Sequence, residues 1–203
     1  MAERERVRRI PRDQVREELL AAAARVFARR GFHGASVEAI SEDAGLSTGA
    51  IYSNFRGKED LFLSLYEQRI ERRRGELRAA VERAGGGLAG VAAASADVAG
   101  SVTQHRDWFL LYFEFALHAA RDPAFARRFR KVREAGLREL ARGLSEGLSH
   151  AGLEPGMPAL ELARGLSALS YGLAVERLAG DGRGSEELFA QVTELIFRGL
   201  AAP

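Results

Sequence analysis

Four histidines (His33, His105, His118 and His150) and no cysteine are what this 203-residue chain offers for metal or nucleophilic chemistry. The histidines lie far apart, none at metal-ligand spacing from another, and no nucleophile motif accompanies them. Neither an enzyme nor a metal site nor a cofactor is therefore expected. A formal G-x-G-x-x-G match at Gly85 to Gly90 lacks the preceding strand that a dinucleotide fingerprint requires, and reads as an interhelix connection. The residues with chemistry to do lie in Ser36 to Lys58, SVEAISEDAGLSTGAIYSNFRGK. Val37, Ile40 and Ala44 share one helical face. Gly45 permits a sharp reversal and Leu46 fills the corner. Ser47 is placed to cap a second helix whose buried side is Ile51 and Phe55, leaving Thr48, Ala50, Tyr52 and Asn54 outside. Two helices joined by a short glycine-containing turn form the unit whose second helix enters a DNA major groove.

The same stretch resembles the signature of TetR-family transcriptional regulators. Ser36, Val37, Ile40, Ala44, Gly45, Leu46, Ser47, Gly49, Ile51, Tyr52, Phe55, Lys58 and Leu61 carry the likeness. The resemblance implies that Ser36 and Ser47 meet phosphate through hydroxyls and amides. It also implies phosphate contacts from Tyr52 and Asn54 near the end of the recognition helix, and from Lys58 at the start of the next. Such contacts set register and supply salt-dependent affinity without choosing sequence. Thr48, Gly49 and Ala50 fall where base edges would be touched: a hydroxyl that pairs with several bases, a backbone open to close approach, and a methyl for thymine. The chain departs from the usual pattern at Asn54, where histidine is common, and at Ser41, where alanine is frequent. No Arg, Gln or Asn stands in the opening turn of the recognition helix, so specificity is expected to rest on methyl contacts, water and DNA shape.

Other elements must hold this unit. Residues 13–60 are expected to form a three-helix DNA-binding domain. Its first helix is capped by Asp13, stopped by Gly31, and carries Leu19, Leu20, Ala23, Val26 and Phe27 on its packed face. Residues 1–12 hold five arginines among two glutamates and no apolar stripe. They read either as a frayed, solvated terminus or as a basic arm reaching a minor groove or phosphates.

Residues 61–203 are expected to form a larger helical domain for effector binding and dimerisation, giving an all-α protein of about nine helices. A long helix from Lys58 to about Ala84 belongs partly to each domain. After a weakly patterned helix over roughly Leu88 to Gln104, Asp107 is expected to cap the aromatic segment DWFLLYFEFALHAAR. That segment is apolar nearly all round and so central in its domain. Its packing is a core in the first instance. Lining a cavity for an apolar small molecule is the further expectation, with Trp108, Tyr112, Phe115, Glu114, His118 and Tyr171 as pocket residues. Asp122-Pro123 starts a helix running to Gly152, whose outer arginines read as a solvated face. Two last helices, 159–179 and 186–200, carry the stripes Leu162, Leu166, Leu169, Leu173 and Leu188, Val192, Leu195, Ile196, with Ser185 capping the second. The family resemblance implies that this pair forms a four-helix interface with its copy in a homodimer.

The hydrophobic content of 46% suffices for such a core, and a net charge of +2 is too small to argue nucleic-acid binding in bulk. No apolar run approaches a membrane span, and the charged opening excludes a secretory signal, so the cytoplasm is the expected location. The expected function is that of a homodimeric repressor, released from a palindromic double-stranded DNA operator by a small, largely apolar effector. A constitutive DNA-binding or structural helical module without an effector is the alternative.

Overall fold

Among the described residues, 11–154, 156–180 and 185–201 of the computed structural model, every regular element is a helix. In chain order these are α1 (Arg12–Gly34), α2 (Val37–Ala44), α3 (Thr48–Asn54), α4 (Lys58–Arg83), α5 (Gly87–Gln104), α6 (Arg106–Arg121), α7 (Pro123–His150), α8 (Ala159–Ala179) and α9 (Ser185–Ala201). The expectation of an all-helical fold is met. The proposed arm lies outside the described residues for positions 1–10, and so does the side chain of Ser185.

Most boundaries follow their local signals. Asp122 Oδ1 accepts from the amides of Ala124 (2.8 Å) and Phe125 (3.0 Å), with Pro123 at the first position of α7. Gly31 breaks α1 at φ 65°, a conformation that glycine adopts without steric cost. Two expected caps are corrected. Pro11, not Asp13, precedes α1, and Asp13 lies in the first turn, where its carboxylate still faces the positive end of the helix. Likewise α6 begins at Arg106, and Asp107 falls inside it. Only His105 separates α5 from α6, which leaves no chain for a cap one residue later. Finally, α7 stops at His150, because the amide of Leu153 turns back to the carbonyl of Leu148 (2.9 Å).

The chain folds as two compact units, Met1–Leu65 and Tyr66–Pro203, with α4 contributing to each. In the first, Leu19, Leu20, Ala22, Ala23, Val26 and Phe27 of α1 are buried together with Ile40, Ile51, Phe55, Leu61 and Phe62. Phe27 meets Phe32 at 6.0 Å between ring centroids and Phe62 edge-on at 6.4 Å. Such contacts add to what burying each large ring contributes, about 1.5–3 kcal/mol.

The second unit is built on aromatic side chains. Phe115, fully buried, packs on Phe125 at 5.5 Å, and Phe125 stacks on Phe129. Tyr112 and Tyr171 stack face to face at 4.0 Å. Leu148, Leu162 and Phe197 form another buried cluster. The expectation that α6 is enclosed all round is corrected. Phe109, Leu111, Tyr112 and Phe115 face inward, whereas Leu110 and Leu117, seven residues apart, share an exposed side.

Candidate nucleic-acid interface and ligand cavity

Both α2 and α3 are capped at their starts by serine hydroxyls. Ser36 Oγ accepts from the amide of Ala39 (3.1 Å), and Ser47 Oγ from that of Ala50 (3.3 Å). Gly45 adopts the left-handed conformation (φ 64°, ψ 27°), and the amide of Leu46 then closes onto the carbonyl of Ser41 (2.9 Å). With Ile51 and Phe55 buried, the opposite side of α3 is open. Thr48 and Gly49 are exposed, Ala50 is half-buried, and Tyr52 is 63% exposed. A Cβ on Gly49 would meet only Ser47 Oγ, at 3.6 Å, so this glycine makes no room inside the unit. What it leaves is approach from outside.

Asn54 and Lys58 are engaged within the unit. Asn54 Nδ2 donates to the carbonyl of Ala50 (2.8 Å), and its Oδ1 accepts from Arg12 Nε (3.4 Å). Arg12 Nη2 also donates to the carbonyl of Ser53 (3.2 Å), which sets a guanidinium at the carbonyl end of α3. Lys58 Nζ donates to the carbonyls of Phe32 and Ala35, both at 3.0 Å, and lies over the Phe32 ring. Asp43 is paired with Arg25 and Arg29, which ties α2 to α1 and holds the Asp43 carboxyl below its ordinary range, Arg29 contributing most. Sequence reasoning missed Arg12 as a neighbour of α3. Its only signal was a basic residue at the mouth of the first helix.

Within the second unit lies a cavity of about 1110 Å³. Of the expected pocket residues, Trp108 and Tyr171 line it, while Tyr112, Glu114, Phe115 and His118 are not among the lining residues. Ile70, Leu77, Val81, Leu137, Leu140, Leu144 and Phe197 supply apolar wall. Burial raises the hydroxyl pKa of Tyr66 and of Tyr171 above the ordinary value of 10.0. Of the paired stripes on α8 and α9, Leu162 and Leu173 are buried inside the unit, with Leu166, Leu169 and Ile196 packed against them. Leu188 and Leu195 are 47% and 68% exposed, and Val192 is half-buried. On α8, Gly165, Ala168 and Gly172 form an exposed stripe of small residues, with the larger Val175 exposed beside them.

Residues 19–65 match the model for bacterial regulatory proteins of the tetR family, and residues 98–201 match that for the C-terminal part of BetI-type transcriptional repressors. The chain belongs to the TetR family of transcriptional regulators. It is 34% identical over 136 residues to the transcriptional repressor AcnR of Corynebacterium diphtheriae, covering 65% of this chain and 66% of that protein. Over 63 residues it is 38% identical to the transcriptional activator FasR of Mycolicibacterium smegmatis, covering 31% of this chain and only 29% of the relative's length. A candidate transcriptional regulator from Pseudomonas aeruginosa PAO1 superposes with a TM-score of 0.74 at 26% identity, covering 96% and 94% of the two chains. Bacillus subtilis FadR, solved in complex with stearoyl-CoA, has the same fold, with a TM-score of 0.70 at 18% identity over 89% and 96%. TetR-family members are regulators rather than enzymes. Among the described residues, no helix of this TetR-family chain is long and apolar enough to cross a membrane.

Proposed function

We propose that the protein is a homodimeric, sequence-specific repressor that leaves its operator when a small, largely apolar molecule occupies the second unit. The observation that carries this is the open side of α3: Thr48, Gly49 and Tyr52 exposed on a helix whose start is fixed by Ser47 and whose other side is buried. In this reading residues 13–60 bind DNA and residues 61–203 bind effector and partner. Thr48, Gly49 and Ala50 meet base edges, and Ser36, Ser47, Tyr52 and Asn54 meet phosphate. The hydrogen bonds of Lys58 to Phe32 and Ala35 favour a positioning role for it, with at most its remaining N–H turned to phosphate.

Pairing is supported by what α8 and α9 leave uncovered. Leu188, Leu195 and Val175 are large apolar side chains in the open, beside small residues that let helices approach closely. Two copies would set their recognition helices in successive major grooves, about 34–36 Å apart, on an approximately palindromic site in the cytoplasm. The cavity favours an effector over the constitutive alternative, and FadR gives one instance of a ligand held by this fold. Selection of bound fragments from random duplex DNA tests the proposal. Enrichment of a palindrome with half-sites one helical turn apart supports it, and recovery of no common sequence at moderate salt refutes it.

A further inference from the structure

The walls of the cavity are apolar for most of their extent, but its charged members are not balanced. Glu139 faces Arg74 (3.3 Å) and Arg142 (2.7 Å), and Glu82 faces Arg78 (2.8 Å). Arg69 and Arg133 also line the cavity and have no comparable partner. Among the described residues, Arg69 reaches a carboxylate only at 3.9 Å (Glu76), although its side chain is just 12% exposed, and Arg133 reaches none. Arg73, four residues along α4 from Arg69, is paired with Asp97 and Glu76, yet its Nη2 is buried without a hydrogen-bond partner.

Arg69 and Arg133 line the cavity together with Tyr66 and Tyr171, the charge of Arg133 acting on Tyr66 and that of Arg69 on Tyr171. Trp108 stacks on Tyr66 at 5.7 Å and lines the same cavity. A guanidinium that faces an apolar-walled cavity without a close carboxylate is matched best by an oxyanion, whose geometry suits its forked donors. An aromatic lining alone would also suit a quaternary ammonium. Two uncompensated arginines beside these rings would repel one.

We propose that the cavity takes an amphipathic anion, its carboxylate or phosphate head held by Arg69 and Arg133 at the tyrosine cluster and its apolar body lying along Ile70, Leu77 and Leu140. This deepens the effector reading above and rests on it only for the consequence at DNA. Binding itself is a separate matter and is measured separately. The volume, about 1110 Å³, leaves room for such a body, since ligand pockets run from roughly 300 to 1,000 Å³.

The chain has one tryptophan, and it lines the cavity, so the fluorescence of Trp108 reports occupancy without reference to DNA. Decanoate, decyl phosphate, decanol and decyltrimethylammonium share one tail and differ in the head. Titrated below their micellar concentrations, one or both anions should bind roughly tenfold or more tighter than the alcohol and the ammonium. Which anion is tighter distinguishes a carboxylate from a phosphate source. Equal or tighter binding of the alcohol or the ammonium, or no response to any of the four, overturns the proposal. In the variant Arg69→Gln, Arg133→Gln the preference for the anion should fall to within about twofold while decanol affinity holds. A preference that persists in the folded variant removes these two arginines from the head site. Should the variant not fold, by thermal unfolding, the wild-type ranking still decides. An anion that binds tightly yet leaves affinity for a selected operator fragment unchanged would sink the regulatory reading and leave the ligand class standing.

Discussion

Lys58 Nζ donates to the carbonyl of Phe32 at 3.0 Å, and the same ammonium reaches the carbonyl of Ala35 at 3.0 Å while lying over the Phe32 ring. The first residue of α4 thereby closes the end of α1 and the entry to α2. Carbonyls at a helix end have no partner within the helix, and a charged donor is the strongest replacement. Lys58→Met keeps the apolar stem and deletes the donors. It should destabilise the protein by about 1.5–3 kcal/mol, since hydrogen bonds to a charged group are worth that much. Thermal unfolding checks it, and an unchanged midpoint would mean that the ammonium does not hold these carbonyls in solution.

Tyr52 should behave in the opposite manner. Its side chain is largely exposed, so Tyr52→Phe leaves the unfolding midpoint in place. Operator affinity should nonetheless fall by roughly 3- to 10-fold, the worth of one hydrogen bond to phosphate. Fluorescence anisotropy on a selected operator separates the two effects. Equal affinity for both proteins would dismiss the phosphate contact.

Leu188 and Leu195 point away from the core of their own unit. Leu188→Glu with Leu195→Glu is expected to convert a dimer into a folded monomer by sedimentation at micromolar concentration. Affinity for the palindrome should drop on the order of 100-fold, because each half-site is then bound alone. A double variant that stays dimeric would move the interface elsewhere.

Acid should weaken the first unit through Asp43. Arg29 and then Arg25 lower its folded pKa below the ordinary 3.8, so the folded state releases the proton more readily than the unfolded chain. Its contribution is complete above pH 3.8 and is lost as pH falls through the lower folded value. Asp43→Asn should therefore lower the unfolding midpoint at pH 7, and the gap from wild type should close between pH 4 and acid denaturation. A gap of constant size would show that the pairs contribute nothing through charge.

Much of the first unit was legible in the sequence, because its signals are local. Ser36, Gly45 and Ser47 act within three residues of themselves, and Ile40, Ile51 and Phe55 follow helical spacing onto one core. The engagement of Lys58 was not legible, since Phe32 and Ala35 lie more than twenty residues away and only the fold brings them together. The cavity was half legible for the same reason. Trp108 and Tyr171 stood out as aromatic, but nothing local distinguishes Phe115, sealed against Phe125, from a residue on the wall. Arg73 and Arg133 belong to charge runs that read as solvated faces, and only the fold of α4 and α7 brings both, with Arg69, to the lining of one cavity. Caps at Asp13 and Asp107 were misplaced because a carboxylate is nearly as favourable one residue inside a helix as at its head.

The clamp at Asp43 has a bearing on numbers in the cell. It occupies Arg25 and Arg29, and backbone carbonyls occupy Lys58, so these three side chains have little freedom to neutralise phosphate. In the proposed dimer a second recognition helix would supply the affinity that these side chains do not. Where monomers prevail, occupancy of an operator rises with the square of their concentration, so a twofold fall in supply vacates about three-quarters of the lightly loaded sites. Dilution at cell growth alone would then act as a switch, before any small molecule arrives.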